Sequence, residues 1–258
     1  MKIKPILIVA GEPYSIFSEI FFKSISRNKY KNPLILIASS KIFLKQMSNL
    51  KFKLPINLVS IKNTDFNKLD NKKINIIDVN FVFKKTFDKI SNKSNKYIDE
   101  CFNIAQKLLI KNKNFNLLNG PISKKNFLNN KYLGVTEYLA YKNNRKDKVA
   151  MLIYNKKLSV SPITTHLPLK DVHKHLSKKK IINHIKLIKN FYKKRFNKNP
   201  NIAITGLNPH CESNYKSSEE ERFLKPAIKY LIKKKYKVRG PFSADTIFMK
   251  DQLKKYDV

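Results

Sequence analysis

The sequence predicts an α/β protein with a largely parallel core. Three observations carry that prediction. Short apolar runs recur along the chain, longer amphipathic stretches separate them, and all five glycines fall in short polar or proline-containing motifs. Buried strands joined by crossover helices give this alternation. Glycine is normally about 7% of a soluble protein, so those retained should mark positive φ or a close approach of ligand or backbone.

The first apolar run, residues 6–10, follows Lys2 and Lys4 and has the outline of a secretory leader. It is too short for one and meets Gly11-Glu12-Pro13, so it reads as a buried first strand. A helix follows near residues 16–25, then a strand at 34–38 and a helix near 42–47. Strands are predicted at 56–61 and 74–79, with the Asn-, Asp- and Lys-rich stretch 62–73 as the surface connection between them. A helix near 97–110 leads to a strand at 116–119. Two further strands are predicted at 149–154 and 158–164. The helix at 179–196 carries Ile181, Ile185, Ile188 and Tyr192 at helical spacing, which defines its buried face. A strand at 202–205 precedes a last helix near 219–235. Ser218 is placed to cap that helix, Glu221 to complete a capping box, and Glu219 to Glu221 suit its positive end. The whole chain, 1–258, reads as a single two-lobed domain whose lobes share a continuous sheet. Residue 120 is a candidate boundary, but no Gly/Ser/Pro linker marks it.

The formal charge is +36, from 54 Lys and Arg against 18 Asp and Glu. Such a field attracts nucleic acid, anionic lipid or phosphorylated metabolites. The excess is almost all lysine, accompanied by abundant asparagine and isoleucine, as an AT-rich coding genome would produce. The lysines are spread along the chain rather than clustered with aromatics, which argues against nucleic acid as the partner. Cys101 and Cys211 are far apart and form no CxxC pair, so a disulfide framework is not expected and a reducing, cytoplasmic compartment fits. No run approaches the roughly 18 apolar residues of a membrane span.

The candidate chemistry sits at predicted strand ends, where ligands bind in open α/β sheets. His166 closes Ile163-Thr164-Thr165-His166, and His210 closes Gly206-Leu207-Asn208-Pro209-His210. Two imidazoles arriving there are candidate ligands for one divalent metal, although two ligands alone do not close a site. The alternative is two unrelated histidines bonded to backbone. His173 and His175 point to different faces, and His184 flanks an apolar stripe as a packing residue. Cys211 reads as a buried thiol. Asp245 is either a base or neighbour to the metal ligands, or an Asx turn. Lys124 and Thr136 are candidates for a phosphate or carboxylate of the substrate. Neither GxGxxG nor a Walker A loop is present.

In order, Gly11-Glu12-Pro13, Gly120-Pro121, Gly134-x-Thr136-Glu137, Thr164-Thr165-His166, Gly206-Leu207-Asn208-Pro209-His210 and Gly240-Pro241-x-x-Ala244-Asp245-Thr246 resemble the 4-hydroxythreonine-4-phosphate dehydrogenase family of vitamin B6 biosynthesis. The resemblance spans essentially the whole chain. It implies an isocitrate/isopropylmalate-dehydrogenase-like fold of two lobes, a homodimer with its site at the interface, and NAD bound without a GxGxxG loop. It also implies a metal held by three histidines, two of which map to His166 and His210. Zinc is the first expectation, with cobalt, iron or magnesium as alternatives. The implied reaction oxidises the 3-hydroxyl of 4-phosphooxy-threonine and decarboxylates the product to 3-amino-2-oxopropyl phosphate. Thr136 and Lys124 would meet the substrate, and Asp245 would act in catalysis.

Three departures from the family pattern stand out. Tyr14, Ser15 and Phe17 occupy the first turn where the family has further glycines. Val135 stands where the family carries a substrate-contacting histidine. The chain stops at Val258, before the family's third metal histidine, so it is expected to be truncated, to bind metal weakly and not to turn over alone. Two other readings are a dehydrogenase of a related four-carbon acid, such as a phosphothreonate or phosphoerythronate, and a non-catalytic relative that exploits the positive charge.

Overall fold

The computed structural model describes residues 4–112, 114–129, 131–146, 148–208, 210–211 and 215–258. The chain divides into two compact units, Met1–Asn130 and Lys131–Val258. The division falls ten residues beyond the candidate boundary at residue 120.

The first unit is built on five parallel strands: β1 (Ile6–Val9), β2 (Leu34–Ala38), β3 (Ile56–Leu58), β4 (Ile74–Asp78) and β5 (Asn116–Asn119). Their order across the sheet is β3-β4-β2-β1-β5. The central strands β1 and β2 are buried on both faces, which is why they read as continuous apolar runs rather than alternating ones. Helices α1 (Phe17–Arg27) and α2 (Ser40–Asn49) cover one face, and α3 (Asn95–Lys111) packs on β1, β2 and β5. Phe22 is fully buried, its ring 4.6 Å from that of Phe43 and 5.4 Å from that of Phe52. Burial of one such side chain contributes about 1.5–3 kcal/mol. Asp78, at the carboxyl end of β4, accepts the Ser40 N–H at 2.6 Å and so fixes where α2 begins. β3 stops at Leu58, shorter than the expected 56–61.

The second unit contains α4 (Val135–Lys142), α5 (Leu169–Val172), α6 (Lys178–Phe196), β6 (Ile202–Thr205), α7 (Lys225–Lys233), β7 (Val238–Phe242) and α8 (Lys250–Leu253). β6 and β7 pair in parallel, with α7 as their crossover. Ser177 caps α6 by accepting the Lys180 N–H at 3.1 Å. Ile181, Ile185, Ile188 and Tyr192 form its buried face, as their spacing predicts, against Ile202, Leu224, Ile228, Leu231 and Val238.

The α/β class with a parallel core is what the structure shows. Its described strands form two sheets, one in each unit, where the sequence reading expected a continuous one. The strands expected at 149–154 and 158–164 are reduced to one antiparallel bridge between Ile153 and Val160. Met151, Ile153, Tyr154 and Val160 remain exposed there. β-Branched composition makes a strand only where neighbours cover it, and among the described residues none completes the ladder here. β7 was not foreseen, because Gly240 and Pro241 argue against a strand. It survives with a register irregularity opposite Ala203 and Thr205.

Candidate active site

In the first unit, the carboxyl ends of the adjacent strands β1 and β5 bring two of the motifs together. Gly120 N–H donates to the Val9 carbonyl at 2.7 Å, and Glu12 N–H donates to the Pro121 carbonyl at 2.8 Å. Gly11 has φ +77°, and a Cβ there would run into the Pro121 carbonyl oxygen. Glycine is therefore required on two counts. Glu12 is only 1% exposed. It accepts the Ser94 hydroxyl at 2.6 Å and the Tyr14 N–H at 3.5 Å. Burial raises its pKa, and these two hydrogen bonds only partly oppose the rise. Lys124 is exposed at the start of a π-helical turn, Lys124–Leu128, that Ser123 caps.

In the second unit, Gly134 precedes α4, whose first three residues are Val135, Thr136 and Glu137. Thr136 is exposed and Val135 half-buried. The Thr165 hydroxyl donates to Glu137 Oε1 at 3.1 Å. A Cβ on Gly134 would lie 3.0 Å from Glu137 Oε2 and 3.5 Å from His166 Nε2. An alanine there would ask only the flexible end of Glu137 to give by a few tenths of an ångström. Thr165 and His166 thus join the Gly134 motif, as their separate positions in the sequence could not reveal. His166 does not end a strand. It lies in irregular backbone with φ +58°, a left-handed conformation that is uncommon for a residue other than glycine.

His210 does follow a strand, β6, as predicted. Its Nδ1 lies 3.8 Å from Asp245 Oδ2, and both side chains are more than half exposed. Ser243 donates its hydroxyl to Asp245 Oδ1. The Ser243 bond first, and the His210 imidazole further down the order, hold the Asp245 carboxyl below its ordinary pKa. Asp245 is therefore an ionised acceptor beside an imidazole, with the hydroxyl contact expected of a turn residue as well.

The acidic triplet does more than the capping role read from its sequence. Ser218 Oγ accepts the Glu221 N–H at 3.4 Å, but the Glu221 carboxylate pairs with Lys225 instead of returning to Ser218. Glu220 turns inward and is 1% exposed. Its Oε1 accepts the N–H groups of Leu207 at 2.8 Å and Asn208 at 3.0 Å, and its Oε2 accepts Asn208 Nδ2 at 2.7 Å. Sequence reasoning assigned no role to Glu12 or Glu137, although each stands within a glycine motif, and it gave Glu220 only a place at the positive end of the last helix.

The remaining candidates take lesser roles. His184 is buried and its Nε2 lies 2.7 Å from the Ser161 hydroxyl, consistent with packing. His173 and His175 sit exposed in a short 3-10 turn. Burial raises the Cys211 thiol and pushes Cys101 up to about 12, so neither is a ready thiolate. Among the described residues, no group of three His, Cys, Asp or Glu is gathered to hold a metal. Also among them, no helix is long and apolar enough to cross a membrane.

Comparison with known proteins agrees with the motif order. The chain is 33% identical over 255 residues to the 4-hydroxythreonine-4-phosphate dehydrogenase of Sulfurihydrogenibium sp. (strain YO3AOP1), covering 97% of this chain and 77% of that protein. It is 38% identical over 154 residues to the enzyme of the same name from Wigglesworthia glossinidia brevipalpis, covering 57% of this chain and 45% of the relative. The crystal structure of 4-hydroxythreonine-4-phosphate dehydrogenase from Klebsiella pneumoniae matches with a TM-score of 0.82 at 24% identity, over 98% of this chain and 79% of that one, a likeness of fold. Residues 29–258 match the family described as "Pyridoxal phosphate biosynthetic protein PdxA". The chain therefore belongs to the family of the pyridoxal phosphate biosynthetic protein PdxA.

Proposed function

We propose that this chain oxidises 4-hydroxythreonine 4-phosphate, with NAD as hydride acceptor, and so supplies an intermediate of vitamin B6 synthesis. The observation that carries the reading is the 33% identity, sustained over 97% of the chain, to a relative bearing that enzyme's name. The ionised Asp245 carboxylate beside His210 is the chemical support within the fold.

Asp245 accepts the proton of the substrate's 3-hydroxyl as the adjacent C–H leaves as hydride. When bound, NAD would supply the hydride acceptor. The product is a β-keto acid, which loses its carboxylate as carbon dioxide and leaves the amino-ketone phosphate. In the second unit Thr136 would serve an anionic group of the substrate through its hydroxyl, and in the first unit Lys124 is by itself a candidate for a phosphate or carboxylate through its charge. His166 and His210 are the imidazoles that would hold a divalent metal. They fall short of the three protein ligands of a catalytic zinc site. A homodimer is the assembly implied by the family, and sedimentation of the purified protein tests it.

The test is NADH and carbon dioxide formation from 4-hydroxythreonine 4-phosphate, run beside a thermal-shift measurement of substrate binding. Asp245→Asn should slow turnover about 100-fold or more, the scale of losing a positioned base. Absence of turnover by the wild-type protein would overturn the reading; binding that persists without turnover would leave the substrate class standing, as expected if two imidazoles do not suffice. Val135 favours one second reading. A half-buried valine in the first turn of α4 offers no polar contact, so a four-carbon phosphorylated acid such as 4-phosphoerythronate is the competing substrate. Its turnover in preference to the amino acid would establish that reading.

A further inference from the structure

We infer that Glu220 is a positioning residue, which holds the backbone at Leu207 and Asn208 so that the His210 imidazole is presented to the site. The inference rests on the functional reading above only in placing His210 in the site.

Four observations converge on the clamp. Glu220 is 1% exposed, yet both its carboxylate oxygens are engaged by the loop: Oε1 by the Leu207 and Asn208 N–H groups, and Oε2 by Asn208 Nδ2. Asn208 in turn accepts the Cys211 N–H through its carbonyl at 3.1 Å, closing a turn that contains His210. The loop is tied to β7 through the Gly206 N–H, which donates to the Phe242 carbonyl at 2.8 Å. Glu220 itself opens a π-helical turn, Glu220–Leu224, in which the Lys225 N–H reaches the Glu220 carbonyl. Pro226, at the start of α7, cannot donate a backbone hydrogen bond, and the wide turn lies directly ahead of it.

A buried carboxylate with three hydrogen-bond donors stays ionised and rigid. Burial alone would raise its pKa, but the bonds from Asn208, from its own backbone and from Leu207 outweigh burial and hold it below its ordinary value. Charge-assisted bonds of this kind are stronger and more directional than neutral ones. The capping need of the helix is met elsewhere, by Ser218, and Glu221 pairs with Lys225. Glu220 is therefore free of the roles its neighbours perform.

The test compares Glu220→Met, which keeps the bulk and removes both acceptors, with Glu220→Gln. The glutamine retains Oε1 for the two backbone N–H groups, and its amide can pair with a turned Asn208 amide. Two readouts are needed: the ring resonances of His210 by NMR, and kcat and KM separately. Glu220→Met should shift the His210 resonances and lower kcat on the order of 10- to 100-fold, as misplacement of a reacting group by about an ångström does. KM should change little, and Glu220→Gln should restore both readouts to near wild type. If Glu220→Met does not fold, Asn208→Ala, which removes only the Oε2 contact, should shift the same resonances to a smaller extent. A folded Glu220→Met protein with unmoved His210 resonances overturns the inference, as does an Asn208→Ala protein that loses thermal stability alone. Should the wild-type protein show no turnover, the functional reading fails while the His210 resonances still decide the clamp.

Discussion

Replacing Gly11 by alanine should weaken the first unit substantially, for reasons that can be worked from its backbone. At φ +77° an L-residue incurs roughly 1–2 kcal/mol relative to glycine. The new Cβ would also meet the Pro121 carbonyl, which is backbone and cannot swing aside. Forced packing of this kind costs roughly 1–3 kcal/mol. Against these, the substitution stiffens the unfolded chain and returns about 0.4–1 kcal/mol. The expected net loss spans about 1–4.6 kcal/mol and centres near ~3 kcal/mol, a large share of the ~5–15 kcal/mol by which domains are stable. Urea denaturation followed by circular dichroism reads it as a midpoint about 1–2 M lower, with an unchanged slope. Gly134→Ala is the control. Its φ of −163° is extended, and the nearest obstacle at 3.0 Å is the flexible end of Glu137, so stability should fall by less than about 1 kcal/mol. A Gly11→Ala midpoint as close to wild type as that of Gly134→Ala would refute the reasoning.

Two further outcomes are expected from buried titratable groups. Because burial raises the folded-state pKa of Glu12, its contribution is fully present below the unfolded pKa and is lost as pH rises through the folded value. Glu12→Gln should therefore gain stability relative to wild type at neutral pH, with the gain vanishing by about pH 4, as melting temperatures across pH will register. His184 has the opposite sign, since burial, followed by the charge of Lys180, lowers its pKa. Stability from the neutral ring is present above the unfolded value and is lost as pH falls through the folded one. The wild-type protein should thus lose stability between about pH 6.5 and more acid conditions, and His184→Gln should flatten that part of the profile in urea titrations.

Much of this protein was legible in the order of its residues. The strands at 34–38, 116–119 and 202–205 appear with the predicted bounds, and the Ile181–Tyr192 stripe packs as its spacing requires. These are local periodicities, which the chain expresses wherever an apolar face can be covered. The motif order also pointed to the family, since glycines kept for backbone reasons mark sites without reference to distant contacts. Tertiary structure alone decided the rest. Residues 149–164 have strand composition but, among the described residues, no ladder partner beyond one bridge, whereas Val238–Phe242 pairs with β6 despite its glycine and proline. Pairing is non-local, and propensity yields to it. The same holds within the site. Glu12, Glu137 and Glu220 look like surface acids in a lysine-rich chain. Their roles follow from Ser94, Thr165 and Asn208, partners 82, 28 and 12 residues away in sequence. A carboxylate's function depends on which donors reach it and how much water is excluded, and both are settled only when distant segments meet.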